Sequence, residues 1–212
     1  MIAQLQGVQK RFKGKRVLEN VSLEVKEGEI IGIIGGNGSG KTTILRLLAG
    51  LMYPDWGEVI VHSKKIKEGE FPGNIGILIE TPRFIERWTG FENLKMLADI
   101  RGKISSNDIR KIMEHFKLDP NLKDSVRTYS LGMNQRLGLA QVFMEKPKLL
   151  LLDEPTNALD EDSRKRFEDL LFEARSEGAS AILVSHDKEE INRLCDRVYK
   201  LEEGVLKEVV PV

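Results

Sequence analysis

The chain has 212 residues, 41% of them hydrophobic and 31% charged, which suits one or two domains with an ordinary buried core. Lys+Arg and Asp+Glu both number 33, so no global basic field argues for nucleic acid or an anionic membrane as the main partner. A single cysteine, Cys195, excludes a disulfide framework and a cysteine metal site and points to a reducing, cytoplasmic compartment.

Met1 to Val8 lacks the basic start and apolar run of a signal peptide, and no apolar run approaches the ~20 residues of a spanning helix. A membrane role would need another chain to cross the bilayer. In chain order, Ile2 to Val8 reads as a strand and Lys10 to Arg16 (KRFKGKR) as a basic turn around Phe12 and Gly14. Val17 to Val25 alternates apolar and polar, as an antiparallel strand with one wet face does. Ile30 to Ile34 is a buried strand, Thr43 to Leu48 starts a helix, and Gly50 ends it. Pro54, Asp55 and Gly57 mark a loop before strands at Glu58 to Val61 and Asn74 to Ile79. Glu80 to Thr89 is a loop, and helices follow at Phe91 to Arg101, Asn107 to Phe116 and Leu131 to Met144. Leu149 to Leu152 is a short buried strand, Ser163 to Ser176 a helix, Ser180 to Ser185 a strand and Lys188 to Cys195 a helix. Arg197 to Val210 reads as a closing hairpin turning at Glu203-Gly204. The alternation of strand and helix predicts an α/β core with a mostly parallel sheet, and roughly residues 86–145 read as a helical insertion.

Gly35 to Thr42 reads GGNGSGKT and fits G-x-x-x-x-G-K-[ST] between a strand and a helix, the context that pattern requires. Gly35, Gly36, Gly38 and Gly40, with Asn37 and Ser39, can turn consecutive N–H groups inward, and the following helix adds its positive end. The result is a cradle for a di- or triphosphate, with Lys41 at the β/γ-phosphates and the Thr42 hydroxyl on Mg²⁺. Leu149 to Pro155 reads LLLLDEP. Two carboxylates leave the end of a buried strand, where an open α/β sheet has its ligand crevice. Asp153 then reaches the same Mg²⁺, and Glu154 orients or deprotonates an attacking water. Ile182 to Asp187 (ILVSHD) repeats the design with His186 at a strand tip, placed to contact the γ-phosphate. Tyr129 to Arg136 (YSLGMNQR) puts the Ser130 hydroxyl and the Gly132 N–H at a helix start, a second anion site with no use inside one small domain.

These motifs, in this order, resemble the nucleotide-binding subunit of ATP-binding cassette (ABC) transporters over nearly the whole chain. The resemblance implies a P-loop NTPase core with an N-terminal antiparallel β-subdomain and a helical subdomain, all within one ABC ATPase domain. It implies ATP and Mg²⁺ as ligands, with Phe12 stacked on adenine and Gly35 to Thr43 around the phosphates. Ser130 and Gly132 of one subunit would close over the ATP of another, and Asp160 of NALD (Asn157 to Asp160) would lie at that interface. Lys41, Glu154 and His186 would carry catalysis, and Thr42, Asp153 and the loop residue Glu80 would face the metal. The implied assembly is a homodimer or close heterodimer that powers separate transmembrane permease subunits, without nucleic acid, on the cytoplasmic face of the membrane.

Two positions depart from the family pattern. Leu131 replaces the first of two glycines after the signature serine, and Glu80 replaces a glutamine that touches Mg²⁺ and couples the site to the membrane partner. Glutamate adds charge near the metal, binding it more strongly while opposing the anionic γ-phosphate. IGILIETPRF followed by TGFENL resembles the ATPases of bacitracin- and lantibiotic-resistance exporters, a subgroup that commonly carries this glutamate. Phe84, Ile85 and Trp88 have two readings, local packing or a groove for a helix of the membrane partner. The competing classes are a soluble ABC-type ATPase acting on DNA or ribosomes, and a nucleotide sensor without turnover. The stretch from Glu80 to Ser130 is too short for the coiled coil of DNA-repair members, there is one cassette, and Glu154 and His186 are intact.

Overall fold

The computed structural model describes residues 1–210. Two sheets organise it. The first is antiparallel: β1 (Ala3–Phe12), β2 (Lys15–Val25), β4 (Trp56–Val61) and the two-residue β5 (Lys64–Lys65), in the order β2-β1-β4-β5. The second runs β10 (Val205–Val209), β9 (Arg197–Glu202), β3 (Ile30–Ile34), β8 (Ser180–Val184), β7 (Leu149–Asp153) and β6 (Ile75–Leu78). Its neighbours from β9 to β6 are parallel, and β10 closes the edge antiparallel to β9.

Covering both faces of the parallel sheet explains its unbroken apolar strands. Side chains alternate across a strand, so Ile30, Leu150, Leu152, Ala181 and Leu183 enter one core. Ile31, Ile33, Leu149, Leu151, Ile182 and Val184 enter the other. This second core also takes Leu5, Val8, Leu23 and Val59 of the antiparallel sheet and Ile44, Leu45, Leu47 and Leu48 of α1 (Lys41–Leu48).

The opposite core is shared with the helices α2 (Gly90–Arg101), α3 (Ser106–His115), α4 (Leu131–Phe143), α5 (Glu161–Ser176) and α6 (Lys188–Leu194). The helices starting at Gly90 and Ser106 begin in capping boxes, Thr89 with Glu92 and Ser105 with Asp108. Buried Leu94, Ala98, Ile109, Met113 and Phe116 of this region pack into the same cluster as Leu150 and Phe167. The helical segment therefore rests on the sheet rather than on a core of its own.

Several boundaries differ from expectation. The basic turn at Lys10 to Arg16 is largely strand: Phe12 pairs with Lys15, leaving Lys13 (φ 47) and Gly14 (φ 81) as a two-residue hairpin loop. Strand β5 carries no sequence signal. It forms because His62 (φ 50) and Ser63 (φ 60) make another two-residue reversal, with no glycine to announce it. Asp153 lies within β7, and α5 starts at Glu161, capped by Asp160, rather than at Ser163. The Arg197 to Val210 hairpin is as read, turning at Glu203 and Gly204.

Candidate active site

Strand register gathers the polar groups. Ile33 pairs with Val184, and Val184 with Asp153, so β3, β8 and β7 end at one level. Their exits share one rim: Gly35 just past β3, Glu154 just past β7, and Ser185 and His186 just past β8.

The glycine loop is built by close approach. A Cβ on Gly35 (φ 157) would lie 2.4 Å from the Leu201 carbonyl oxygen and 2.9 Å from Ser39 Oγ. One on Gly40 (φ 109) would lie 2.9 Å from Val17 Cγ1, which places β2 against the loop. Only glycine fits these positions. Lys41 opens α1 and folds back, its ammonium donating to the carbonyls of Gly35 at 2.8 Å and Gly36 at 3.0 Å. The cation is thereby held over the loop spanning Gly36, Asn37, Gly38 and Ser39. The Ser39 hydroxyl is buried without a partner inside it. Thr43, next along α1, is buried.

Thr42 Oγ1 donates to Asp153 Oδ2 at 2.6 Å. Burial pushes the Asp153 carboxyl up from the usual 3.8, and the Thr42 hydroxyl opposes that shift. A desolvated carboxylate beside a hydroxyl is a pair of hard oxygen donors that fits Mg²⁺, which takes one or two protein oxygens and fills its octahedron with phosphate oxygens and water. Among the described residues no group of three or more His, Cys, Asp and Glu side chains is arranged to hold a metal.

Glu154 has φ 48, and its N–H donates to Val184 O at 2.8 Å. The bend aims its carboxylate at His186, whose Nδ1 lies 2.8 Å from Glu154 Oε2. His186 is largely exposed and Glu154 only 25% exposed, so a sheltered carboxylate is paired with an imidazole open to solvent. Glu80 (φ 60) lies beyond the end of β6, but its carboxylate is bound by Arg46 of α1 at 2.5 Å rather than by the Thr42–Asp153 pair. Phe12 ends β1 with its ring 41% exposed and the Lys10 ammonium 5.8 Å from the ring centre.

Ser130 caps α4, its Oγ accepting from the Met133 N–H at 3.2 Å, and is exposed. Leu131, in the departing position, is 64% exposed. A Cβ on Gly132 would lie 2.9 Å from the Ala158 carbonyl oxygen, so the serine-glycine tip abuts the Asn157 to Asp160 turn. Asp160 has a local job as well, capping α5 through the Ser163 N–H at 2.7 Å, and the Ser163 hydroxyl first and this N–H second hold its carboxyl below the usual range.

Sequence reasoning missed Gln135. Its buried amide donates to Pro155 O at 2.8 Å and Glu154 O at 3.4 Å, tying α4 to the segment after β7. The available signal was its amide side chain within YSLGMNQR, on the helix that follows Ser130. Phe84, Ile85 and Trp88 are half-buried, Phe84 packs against the helical core, and Asn93 clasps the backbone of Ile85 at 2.8 and 3.2 Å. Beside them a groove of about 360 Å³ is lined by residues including Arg46, Leu51, Ile79, Glu80, Arg83 and Gln141.

The ABC transporter family model matches residues 18–157. The chain is 40% identical over 211 residues to the ABC transporter ATP-binding protein YdbJ of Bacillus subtilis, covering 97% of this chain and 68% of that one. It is 34% identical over 214 residues to the bacitracin transport ATP-binding protein BcrA of Enterococcus faecalis, covering 100% of this chain and 70% of that one. Among solved structures, the ATP-binding cassette MJ0796, a dimer in a post-hydrolysis state bound to ADP and Pi, superposes with TM-score 0.89 at 26% identity. That match covers 100% of this chain and 99% of the other.

Proposed function

We infer the function from one premise: this chain belongs to the ABC transporter family and is an ATP-binding, ATP-hydrolysing transport subunit. The observation that carries the mechanism is the rim where Lys41, Thr42–Asp153 and Glu154–His186 meet at the ends of β3, β7 and β8.

In our reading ATP lies with its phosphates on the loop from Gly35 to Thr43, Lys41 exchanging the Gly35 and Gly36 carbonyls for β- and γ-phosphate oxygens. Phe12 offers its exposed face to adenine. Thr42 and Asp153 hold Mg²⁺, which when bound neutralises phosphate charge. Glu154 takes a proton from the attacking water. As the water oxygen bonds to the γ-phosphorus, the bond to the β-bridging oxygen breaks and ADP and inorganic phosphate leave. His186 holds the Glu154 carboxylate in position through Nδ1 and presents its other face to the γ-phosphate.

The Ser130–Gly132 tip, exposed at Ser130 and Leu131, supports a split site, one copy's tip closing on the nucleotide of the other. Asp160 and its turn then lie at the seam, and residues 86–145 act as the helical subdomain that carries the tip. No helix among the described residues is long and apolar enough to cross a membrane. In this reading separate permease chains supply the path and dock at the groove beside Glu80. The likeness to BcrA supports export of antimicrobial peptides or drugs, with the subunit on the cytoplasmic face. The test is recovery of tagged chain from gently solubilised membranes. Co-purification of an integral membrane chain whose addition changes the ATPase rate is expected. Recovery with ribosomes or DNA instead overturns the transport reading.

A further inference from the structure

Arg46 and Glu80 make an ion pair that the hydrolysis mechanism does not use. Thr42 and Arg46 lie four residues apart on α1, hence on one face of the helix, one turn apart. Helical side chains lean toward the N-terminus, so the Arg46 guanidinium leans toward Thr42. Its Nη2 holds Glu80 Oε1 at 2.5 Å. The Glu80 carboxylate is thus held by a residue one helical turn along α1 from Thr42.

The loop bearing Glu80 is not free to drift away. Pro82 packs on α4 at Gly138, where a Cβ would meet Pro82 Cγ at 2.4 Å. Glu80 itself sits at φ 60, a conformation a glutamate holds only when its surroundings impose it. With the backbone pinned at both places, side-chain rotation is the freedom left, and it offers the carboxylate two cations to choose between: the fixed guanidinium or a metal beside Thr42.

We propose that Arg46 is a positioning residue: it sequesters the Glu80 carboxylate and thereby weakens divalent-metal binding at the Thr42–Asp153 pair. This rests on the reading of that pair as the metal site. A glutamate with no restraint would add a charged oxygen ligand and slow metal release after hydrolysis. The guanidinium competes for it and keeps the site exchangeable. A merely structural pair, half in solvent, would leave metal affinity alone.

The test is a double-mutant cycle read by Mn²⁺ binding, measured by electron paramagnetic resonance on protein saturated with a non-hydrolysable ATP analogue. Arg46→Gln keeps much of the aliphatic stem and removes the charge, so packing survives. Arg46→Ala is run in parallel. The Kd for Mn²⁺ is expected to fall roughly fivefold in either variant, the order set by breaking one partly exposed ion pair. Glu80→Gln should abolish the gain, so that the double variant matches Glu80→Gln alone. A Kd unmoved by both Arg46 variants overturns the proposal, and so does a gain that persists without Glu80. Weaker analogue binding in EDTA on loss of Arg46 would make Arg46 a phosphate ligand and likewise overturn it. Failure of the unmutated protein to bind Mn²⁺ with the analogue would instead sink the metal site itself.

Discussion

Glu154→Gln isolates the proton-accepting oxygen from everything that shapes the site. The main chain at this position is held independently of the side chain: its N–H donates to Val184 O at 2.8 Å, and its carbonyl accepts from the Asn157 N–H at 3.2 Å. Glutamine is close to isosteric and keeps an oxygen for His186, now 2.8 Å from the carboxylate. What disappears is the basic site. A positioned general base contributes about 10²–10⁴-fold, or about 3–5 kcal/mol of barrier, so phosphate release should slow by that factor. Lys41, Thr42 and the glycine loop are untouched, so ATP affinity should change less than about threefold, or about 0.65 kcal/mol. The assays are steady-state phosphate release, equilibrium binding of a fluorescent ATP analogue, and molar mass in Mg-ATP. With turnover blocked, the variant is expected to accumulate as a dimer. Turnover within tenfold of the unmutated protein would refute Glu154 as the base. A monomer under saturating Mg-ATP would refute closure of one copy's Ser130–Gly132 tip over the other's nucleotide.

Three further outcomes rest on individual side chains. Burial raises the Asp153 carboxyl above 3.8, so the folded chain keeps this proton where the unfolded chain has lost it. The stabilisation is full below that value and fades as pH rises through the raised one. Asp153→Asn should therefore raise the melting temperature of nucleotide-free protein at pH 7 and flatten its pH dependence, and a lower melting temperature there would contradict this. Gly35→Ala would drive a methyl to 2.4 Å from the Leu201 carbonyl oxygen, a backbone atom that cannot swing aside. A loss of roughly 2–4 kcal/mol in denaturant unfolding is expected, and unchanged stability would show that the loop is not held as described. The Cys195 thiol is pushed up to about 12, chiefly by burial, so native protein at pH 8 carries roughly 10³-fold less thiolate than an exposed cysteine. Iodoacetamide should label it only on unfolding, and rapid labelling of native protein would contradict its burial.

Local chemistry made much of this molecule legible in advance. The apolar runs of β3, β7 and β8 announce strands buried on both faces, because only such strands dispense with alternation. The phosphate loop is equally plain, since its glycines and the adjoining lysine and threonine act within one turn of chain. Asp153, Glu154 and His186 could be placed at strand ends from the boundary of each run. The Lys13-Gly14 and His62-Ser63 reversals were harder, because a residue other than glycine takes positive φ in each.

Contacts across the fold were another matter. Nothing near Glu80 in the chain says that Arg46, 34 residues earlier, would take its carboxylate; that depends on how α1 lies beside the end of β6. Gln135 reaching Pro155, and His186 reaching Glu154, depend on helix packing and on β8 lying between β3 and β7. Residue order alone thus determined the type of nearly every element and the chemical inventory of the site, because propensity and periodicity act over a few residues. Tertiary structure decided the pairings, because the partner of a charged or amide side chain is set by sheet register and helix docking, which join stretches far apart in the chain.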